Sequence, residues 1–187
     1  MYASEFIARA RSALGRGVPY GYGTAFDPQS ATPPATGLDC GTFVRWAAKL
    51  DVRETTQAVS NQRWDTTGIV KDATGAKLFF RKIAVPQPGC LIVYADYTAV
   101  AEVTGARTHH DGHVGIVTET GVVESVLTAT RVIHCSRLVE GMRAELMPDA
   151  ARDAIIESGP LWFAVFKPIF AWCQNITPDP SQPANRD

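Results

Sequence analysis

A cysteine stands where a helix is predicted to begin, in the sequence Leu38-Asp39-Cys40-Gly41-Thr42-Phe43-Val44. Asp39 is a favourable N-cap, because its carboxylate can accept the free backbone N–H groups of the first turn. Apolar residues at helical spacing then predict an amphipathic helix from Cys40 to about Leu50. These N–H groups and the helix dipole favour a thiolate, so we expect the pKa of Cys40 to lie below the ~8.5 of a free cysteine. Cys40 is therefore a candidate nucleophile, and an inert buried cysteine is the alternative.

Predicted helices come first along the chain and predicted strands follow. A first helix is expected over 5–14 with Ser4 as its N-cap, and residues 51–77 show only weak periodicity. Apolar runs predict strands at 78–80, 83–85, 90–94, 113–118, 122–127, 130–135 and 161–166, with one helix at 149–157. The residues Glu119-Thr120-Gly121 are expected to form the tight turn of a hairpin. This order is an α+β pattern rather than an alternation of strand and helix.

Length and composition describe an ordinary globular protein. The chain has 187 residues, of which 45% are hydrophobic and 20% charged, and this favours one domain over a disordered or fibrous chain. We expect that domain to span 1–176, followed by a mobile proline-rich tail at 177–187. The four cysteines are far apart, so neither a zinc ribbon nor a dense disulfide scaffold is indicated.

The charge pattern argues against nucleic acid and membrane partners. The 18 Lys and Arg residues nearly balance the 19 Asp and Glu residues, whereas a protein that neutralises many phosphates usually has a basic excess. No apolar run approaches the roughly 18 residues of a membrane span. Glu5, Arg9 and Arg11 interrupt the N-terminal segment, so no signal peptide is expected.

A thiolate hydrolase also needs a base, and His113 is the candidate. It opens a predicted strand in the sequence Gly112-His113-Val114-Gly115-Ile116-Val117, where its side chain can face a cleft. Glu124 follows on the second strand of the predicted hairpin, near enough across a tight turn to orient the imidazole as a triad carboxylate does. A solvated strand face is the alternative for Glu124.

The cluster of His109, His110, Asp111 and His113 raises the question of a metal site, because His and Asp are common ligands. Its spacing matches no recognised metal motif, and His113 is already needed as the base. We therefore expect an exposed loop before a strand, with no metal and no cofactor.

Four motifs, in order along residues 6–135, resemble those of the NlpC/P60 family of cysteine peptidases. The segment around Cys40 is similar to the family's Asp-Cys-Ser-Gly-Phe-Val signature, and Gly112-His113-Val114-Gly115-Ile116 is similar to its Gly-His-Val-Gly-Ile strand. The other two matches are Gly17-Val18-Pro19-Tyr20-Gly21-Tyr22-Gly23 and Gln87-Pro88-Gly89-Cys90-Leu91-Ile92. Each motif is weak alone, and their common order makes the resemblance fairly specific.

The resemblance implies a papain-like fold, in which the helix of Cys40 packs on an antiparallel sheet that carries His113. It implies hydrolysis of amide bonds in peptidoglycan stem peptides, commonly next to D-glutamate, with no cofactor. Since no signal peptide is expected, action on the cell wall would then fit delivery by a phage tail or a secretion machine, and a cytoplasmic recycling role is the alternative. In that reading Cys40, His113 and Glu124 are catalytic. Tyr20, Tyr22, Asp39 and Gly41 would belong to the substrate site, with Asp39 as cap and organiser.

The chain departs from the family pattern at several positions. Gly41-Thr42 replaces Ser-Gly, and Cys90 replaces an Asp in the turn. The family's third polar residue is usually His. His134, in Val132-Ile133-His134-Cys135-Ser136, resembles that ending, but its use would require 119–130 to be an insertion. We favour Glu124, and expect the long loop at 25–38 to wall one side of the cleft.

Two other functions remain open. The same Cys40 and His113 pair would serve another amide hydrolysis or an acyl transfer. A non-catalytic wall-binding module on the same fold is the third reading, and the intact cysteine and histidine argue against it.

Overall fold

The computed structural model describes residues 1–21, 25–50, 65–100, 104–123, 125–136, 153–160 and 166–180. Within these residues the chain forms a mixed α+β fold, as the order of predicted elements indicated. The helices are α1 (Ala3–Arg11), α2 (Cys40–Ala47) and α3 (Thr66–Thr74). None of the helices in this part of the chain is long and apolar enough to cross a membrane.

The strands build one large sheet and one small one. They are β1 (Phe80–Ile83), β2 (Leu91–Tyr94), β3 (Tyr97–Val100), β4 (Arg107–His110), β5 (His113–Val123), β6 (Val126–Cys135), β7 (Ile155–Ser158) and β8 (Ile169–Cys173). The large sheet has the order β1-β8-β2-β5-β6-β7, with every neighbouring pair antiparallel. Strands β3 and β4 pair separately.

Helix α2 begins at Cys40, as predicted, because Asp39 and Thr42 cap it reciprocally. The Thr42 N–H donates to Asp39 Oδ1 at 2.7 Å, and the Asp39 N–H donates to Thr42 Oγ1 at 2.8 Å. The helix ends at Ala47, short of the predicted Leu50, because Lys49 adopts the left-handed region at φ 55.

Helix α1 begins at Ala3, with Tyr2 rather than Ser4 at the N-cap. Ser4 lies inside the first turn, where its N–H and its Oγ both donate to the carboxylate of Asp179 at 3.0 and 2.8 Å. Thr177 also exchanges backbone hydrogen bonds with this end of the chain, donating to Met1 and accepting from Ala3. Residues 177–180 thus lie against the N-terminal end of the chain, the mobility of the tail stays a prediction, and 181–187 lie outside the described residues.

The hairpin of β5 and β6 is longer than predicted. The two strands stay paired as far as Val123 and Val126, so the turn is not at Glu119-Thr120-Gly121. The register merely shifts around Glu119, and the left-handed φ of 67 falls on Ser125. The β-branched and apolar residues near the hairpin end continue the ladder, which fits their strand propensity.

The C-terminal elements differ from prediction as well. Residues 155–158, expected to end a helix, form strand β7 against β6, because the open edge of β6 accepts the β-branched pair Ile155 and Ile156. The last strand is β8, which lies between β1 and β2. The strand expected at 161–166 falls mostly on residues outside the described ones.

The helices pack against the central strands of the large sheet. Helix α2 contacts β5 and β6, while α1 contacts α2 and β5. Phe6, Phe43, Trp46, Leu91 and Ile116 are all completely buried between them. This packing fixes the first turn of α2, and Cys40 with it, at the start of β5.

Candidate active site

The sulfur of Cys40 lies at the beginning of strand β5. The backbone N–H groups of Val114, the residue after His113, and of Cys40 and Gly41 are near enough to the sulfur to lower its pKa. The Cys40 residue is 8% exposed. The structure therefore brings the predicted nucleophile to the strand that the predicted base opens.

The electrostatics of Cys40 differ from our expectation. Burial raises the pKa of the thiol to about 12, and the neighbouring Asp39 charge adds to this, while the three backbone N–H groups lower it. The expectation of a lowered pKa considered the helix start alone, and it left out the cost of removing a thiolate from water. The resting thiol is neutral, so any chemistry at this sulfur requires a base.

His113 and His134 are in direct contact. The Nε2 atom of His113 lies 2.8 Å from Nδ1 of His134, and the two rings meet edge to face with centroids 5.0 Å apart. In the β5–β6 register His134 pairs with Gly115, two residues after His113, so both side chains project from the same face of the sheet. Gly115 carries no side chain between them.

Both histidines are held neutral by their surroundings. Burial lowers the pKa of His113 to about 4. Burial, and then the nearby His113, lowers the pKa of His134 to about 3. A neutral imidazole has one nitrogen with a free electron pair, so this pair includes a proton acceptor at neutral pH.

Strand β7 adds a hydroxyl to the histidine pair. Ser158 Oγ lies 3.1 Å from His134 Nε2. His134 pairs with Ile156, so Ser158, two residues further, faces the same side of the sheet. Sequence analysis missed Ser158 because it expected a helix in this region.

Glu124 lies outside the described residues, and its role stays a prediction. Strand β5 runs 11 residues from His113 to Val123, and at roughly 3.3 Å per residue its hairpin end is about 30 Å from His113. The pairs near this end lengthen the hairpin between His113 and His134 beyond the predicted turn.

The Tyr20 segment runs beside the residues that lead into α2. Tyr20 forms an isolated parallel bridge with Leu38, and the Gly21 N–H donates to the Leu38 carbonyl at 3.0 Å. Gly37 permits this approach, since it has φ +102 and a Cβ there would lie 2.7 Å from the Pro19 oxygen. Tyr20 is thus placed near Cys40, while Tyr22 lies outside the described residues.

Asp39 and Gly41 have structural positions in the helix start. The Asp39 carboxylate accepts from Thr42, and Gly41 is buried in the first turn. Thr42, one of the departures from the family pattern, supplies the hydroxyl of the capping pair. Contact of Asp39 or Gly41 with a substrate stays a prediction.

Tyr94 belongs to the site and was missed by sequence analysis. It is the direct cross-strand partner of His113, and the two ring centroids are 6.3 Å apart. Burial, and then the nearby Cys40, Tyr97 and Asp111, raises the pKa of Tyr94 to about 12. Its hydroxyl therefore stays protonated near the sulfur. Tyr94 and His113 each sit at the end of a predicted strand, and only the pairing of those two strands brings them together.

The histidines before β5 do not converge. His109 approaches Asp111 at 3.4 Å on the exposed surface, whereas His110 stacks on Tyr97 with ring centroids 4.6 Å apart. Among the described residues no group of three or more His, Cys, Asp or Glu side chains is arranged to hold a metal ion.

The turn before His113 is fixed by Gly112 and Asp96. The Gly112 N–H donates to Asp96 Oδ1 at 2.6 Å, and Thr66 Oγ1 donates to the same oxygen at 3.1 Å. A Cβ at Gly112 would meet Thr66 Oγ1 and lie 2.6 Å from the Tyr94 carbonyl oxygen. Only glycine fits here, and this fit sets where β5 starts.

The site is thus a neutral thiol at a helix start, next to a strand that carries one of two hydrogen-bonded neutral histidines, in an α+β fold. No family model matches the chain, and no curated protein matches it either.

Proposed function

We propose that the chain is a cysteine hydrolase of the NlpC/P60 type, with a papain-like fold, that cleaves amide bonds in peptidoglycan stem peptides. One observation carries the proposal: the Cys40 sulfur lies near the backbone N–H of Val114, and the residue before Val114 is a histidine hydrogen-bonded to a second histidine. The four ordered motifs support the substrate class.

The first half of the reaction forms an acyl-enzyme. His113 accepts the thiol proton on Nδ1, since its Nε2 is engaged by His134, and the sulfur attacks the substrate carbonyl. The sulfur–carbon bond forms as the carbonyl π pair moves to oxygen. N–H groups of the helix start and the Tyr94 hydroxyl are the nearby donors for that oxyanion. The carbon–nitrogen bond then breaks, and protonated His113 gives its proton to the leaving amine.

The second half restores the enzyme. His113 removes a proton from water, the hydroxide adds to the thioester carbonyl, and the sulfur leaves and regains the proton from His113. The products are an amine and a carboxylic acid. His134 is the third residue of this proposal, in place of Glu124, because it contacts His113 from a nearly unexposed position.

Digestion of purified sacculi, followed by mass spectrometry of the released muropeptides, tests the proposal. The wild-type protein should release stem-peptide fragments with new amino termini, also in the presence of EDTA. Cys40→Ala should release none. Cys173→Ala is the matched control, because Cys173 is equally buried but lies on β8. Intact muropeptides with the wild-type protein, or cleavage by Cys40→Ala, would contradict it.

A second candidate is acyl transfer to an amine through the same thioester. The low exposure of Cys40 favours it, since a dry site protects an acyl-enzyme from water. Adding a primary amine to the digestion separates the two, because transfer yields amide products and hydrolysis yields free acids.

A further inference from the structure

The hydroxyl of Ser158 lies between a histidine and a carbonyl group. Its Oγ is 3.1 Å from His134 Nε2 and donates to the Gly159 carbonyl oxygen at 3.2 Å. A hydroxyl has one proton, and a carbonyl oxygen can only accept. Ser158 therefore donates its only proton to the Gly159 carbonyl. It accepts a hydrogen bond from His134, so His134 carries a proton on Nε2.

This arrangement also determines which ring nitrogen carries the proton in His134 and in His113. A neutral His134 with a proton on Nε2 has its free electron pair on Nδ1. That pair accepts the Nε2–H of His113 across the 2.8 Å contact. A neutral His113 with a proton on Nε2 keeps its own free pair on Nδ1, which is the atom that must take the proton of Cys40.

We propose that Ser158 is a positioning residue that fixes the tautomers of both histidines and so keeps His113 ready to act as a base. With the opposite polarity Ser158 would donate to His134, His134 Nδ1–H would donate to His113, and the proton of His113 would lie on Nδ1. A neutral His113 of that kind cannot accept a proton from Cys40.

The histidine pair is shielded from water at His134 and held by the sheet. His134 is 1% exposed, so solvent has little access to its ring nitrogens. Ser158, His134 and His113 lie on one face of three adjacent strands, β7, β6 and β5, and the sheet register holds their spacing. The inference rests on the proposed role of His113 as base, but the tautomers themselves are independent of any substrate.

Long-range ¹H–¹⁵N spectra of the full chain with ¹⁵N-labelled histidine test the proposal at neutral pH. The chain has four histidines, and His109→Gln and His110→Gln assign the two that lie outside the pair. Wild-type protein should show a proton on Nε2 of both His113 and His134. A proton on Nδ1 of His113 overturns the proposal without recourse to any variant.

Removal of the hydroxyl should disturb this pattern specifically. In Ser158→Ala we expect the His113 and His134 signals to move towards mixed tautomers, and Ser158→Thr should restore them. Thr118→Val is the matched control, because Thr118 Oγ1 also joins β5 to β7, by a 2.7 Å hydrogen bond to Glu157, but it contacts neither histidine. Unchanged tautomers in folded Ser158→Ala overturn the proposal.

Activity provides the second measurement. A wrong tautomer costs about 10⁴-fold in a Ser-His-Asp triad, so Ser158→Ala should lower kcat at least roughly 10-fold with KM unchanged, and Ser158→Thr should recover it. An undiminished kcat in Ser158→Ala overturns the positioning role. If wild-type protein cleaves no sacculi but shows the expected tautomers, the proposed function fails and the tautomer assignment stands.

Discussion

His113 and His134 are 21 residues apart in the chain, yet their ring nitrogens lie 2.8 Å from each other. The contact arises from the register of one hairpin, which places Gly115 opposite His134 and leaves both rings on the same face. A one-residue slip of β6 would turn His134 to the other face of the sheet and separate the pair. The paired histidines are therefore a direct product of how β5 and β6 align.

This contact predicts which residue orients the base. His134→Ala should lower kcat by on the order of 10²-fold, because His113 loses the partner that holds its ring and tautomer. Glu124→Ala should change kcat less than about 2-fold. Muropeptide release rates of the two variants provide the measurement. If Glu124→Ala were severe and His134→Ala silent, the carboxylate assignment made from the sequence would be right.

The burial of Cys40 predicts that its thiol reacts slowly with alkylating reagents at neutral pH. Because burial raises its pKa to about 12, the rate of iodoacetamide labelling should keep rising above pH 9 rather than level off near pH 7. Peptide mass spectrometry after timed labelling follows this residue alone. In urea the labelling rate of the same peptide should have its pH midpoint at about 8.5, the pKa of a free thiol. A plateau below pH 8 in the native protein would mean that the site stabilises a thiolate.

The buried histidines predict a loss of stability in acid. The folded pKa values, about 4 for His113 and about 3 for His134, lie below the ordinary 6.5. The unfolded chain therefore binds protons first, so the contribution of the pair is complete above pH 6.5 and is lost as the pH falls towards 4. Urea unfolding at several pH values should show the free energy of unfolding drop by roughly 3 kcal/mol for each of the two histidines between pH 6.5 and 4.

Two variants separate this effect from the carboxylates, which also titrate in acid. His109→Gln, which removes an exposed histidine outside the pair, is the control. The double variant His113→Gln with His134→Gln should flatten the slope between pH 6.5 and 4. Equal slopes in the double variant and the wild type would show that the pair is not buried neutral.

Tyr94 should assist the reaction through its hydroxyl. Tyr94→Phe keeps the ring that stacks on Phe166, with centroids 4.6 Å apart, and removes only the donor near Cys40. We expect kcat to fall on the order of 10²-fold with little change in KM, as for the loss of one oxyanion donor. Tyr97→Phe, whose ring stacks on His110, is the control. Equal rates for Tyr94→Phe and wild type would exclude the hydroxyl from the oxyanion site.

Local chemistry was enough to predict the start of α2 and its cap. Asp39 and Thr42 are three residues apart and satisfy each other, so no distant contact is needed to place Cys40 at a helix start. The strand of His113 was also recognisable, because its apolar run is continuous. The α+β class followed from the order of such segments.

Pairing between distant strands was not predictable in the same way. The hairpin turn was expected at residues 119–121, but the ladder continues to Val123, and its register places His134 opposite Gly115. Residues 155–158 have a sequence compatible with a helix, and they form β7 only because β6 offers an edge. Ser158 and Tyr94 belong to the site because of how their strands pair with β6 and β5. A single sequence does not show which strands pair or in which register.

The contact between Thr177 and Met1 has a mechanical consequence. Two backbone hydrogen bonds, from Thr177 to Met1 and from Ala3 to Thr177, join the stretch before residue 180 to the beginning of the chain. Tension applied between residues 1 and 180 would therefore act on these hydrogen bonds before it reached the strands that carry His113 and His134.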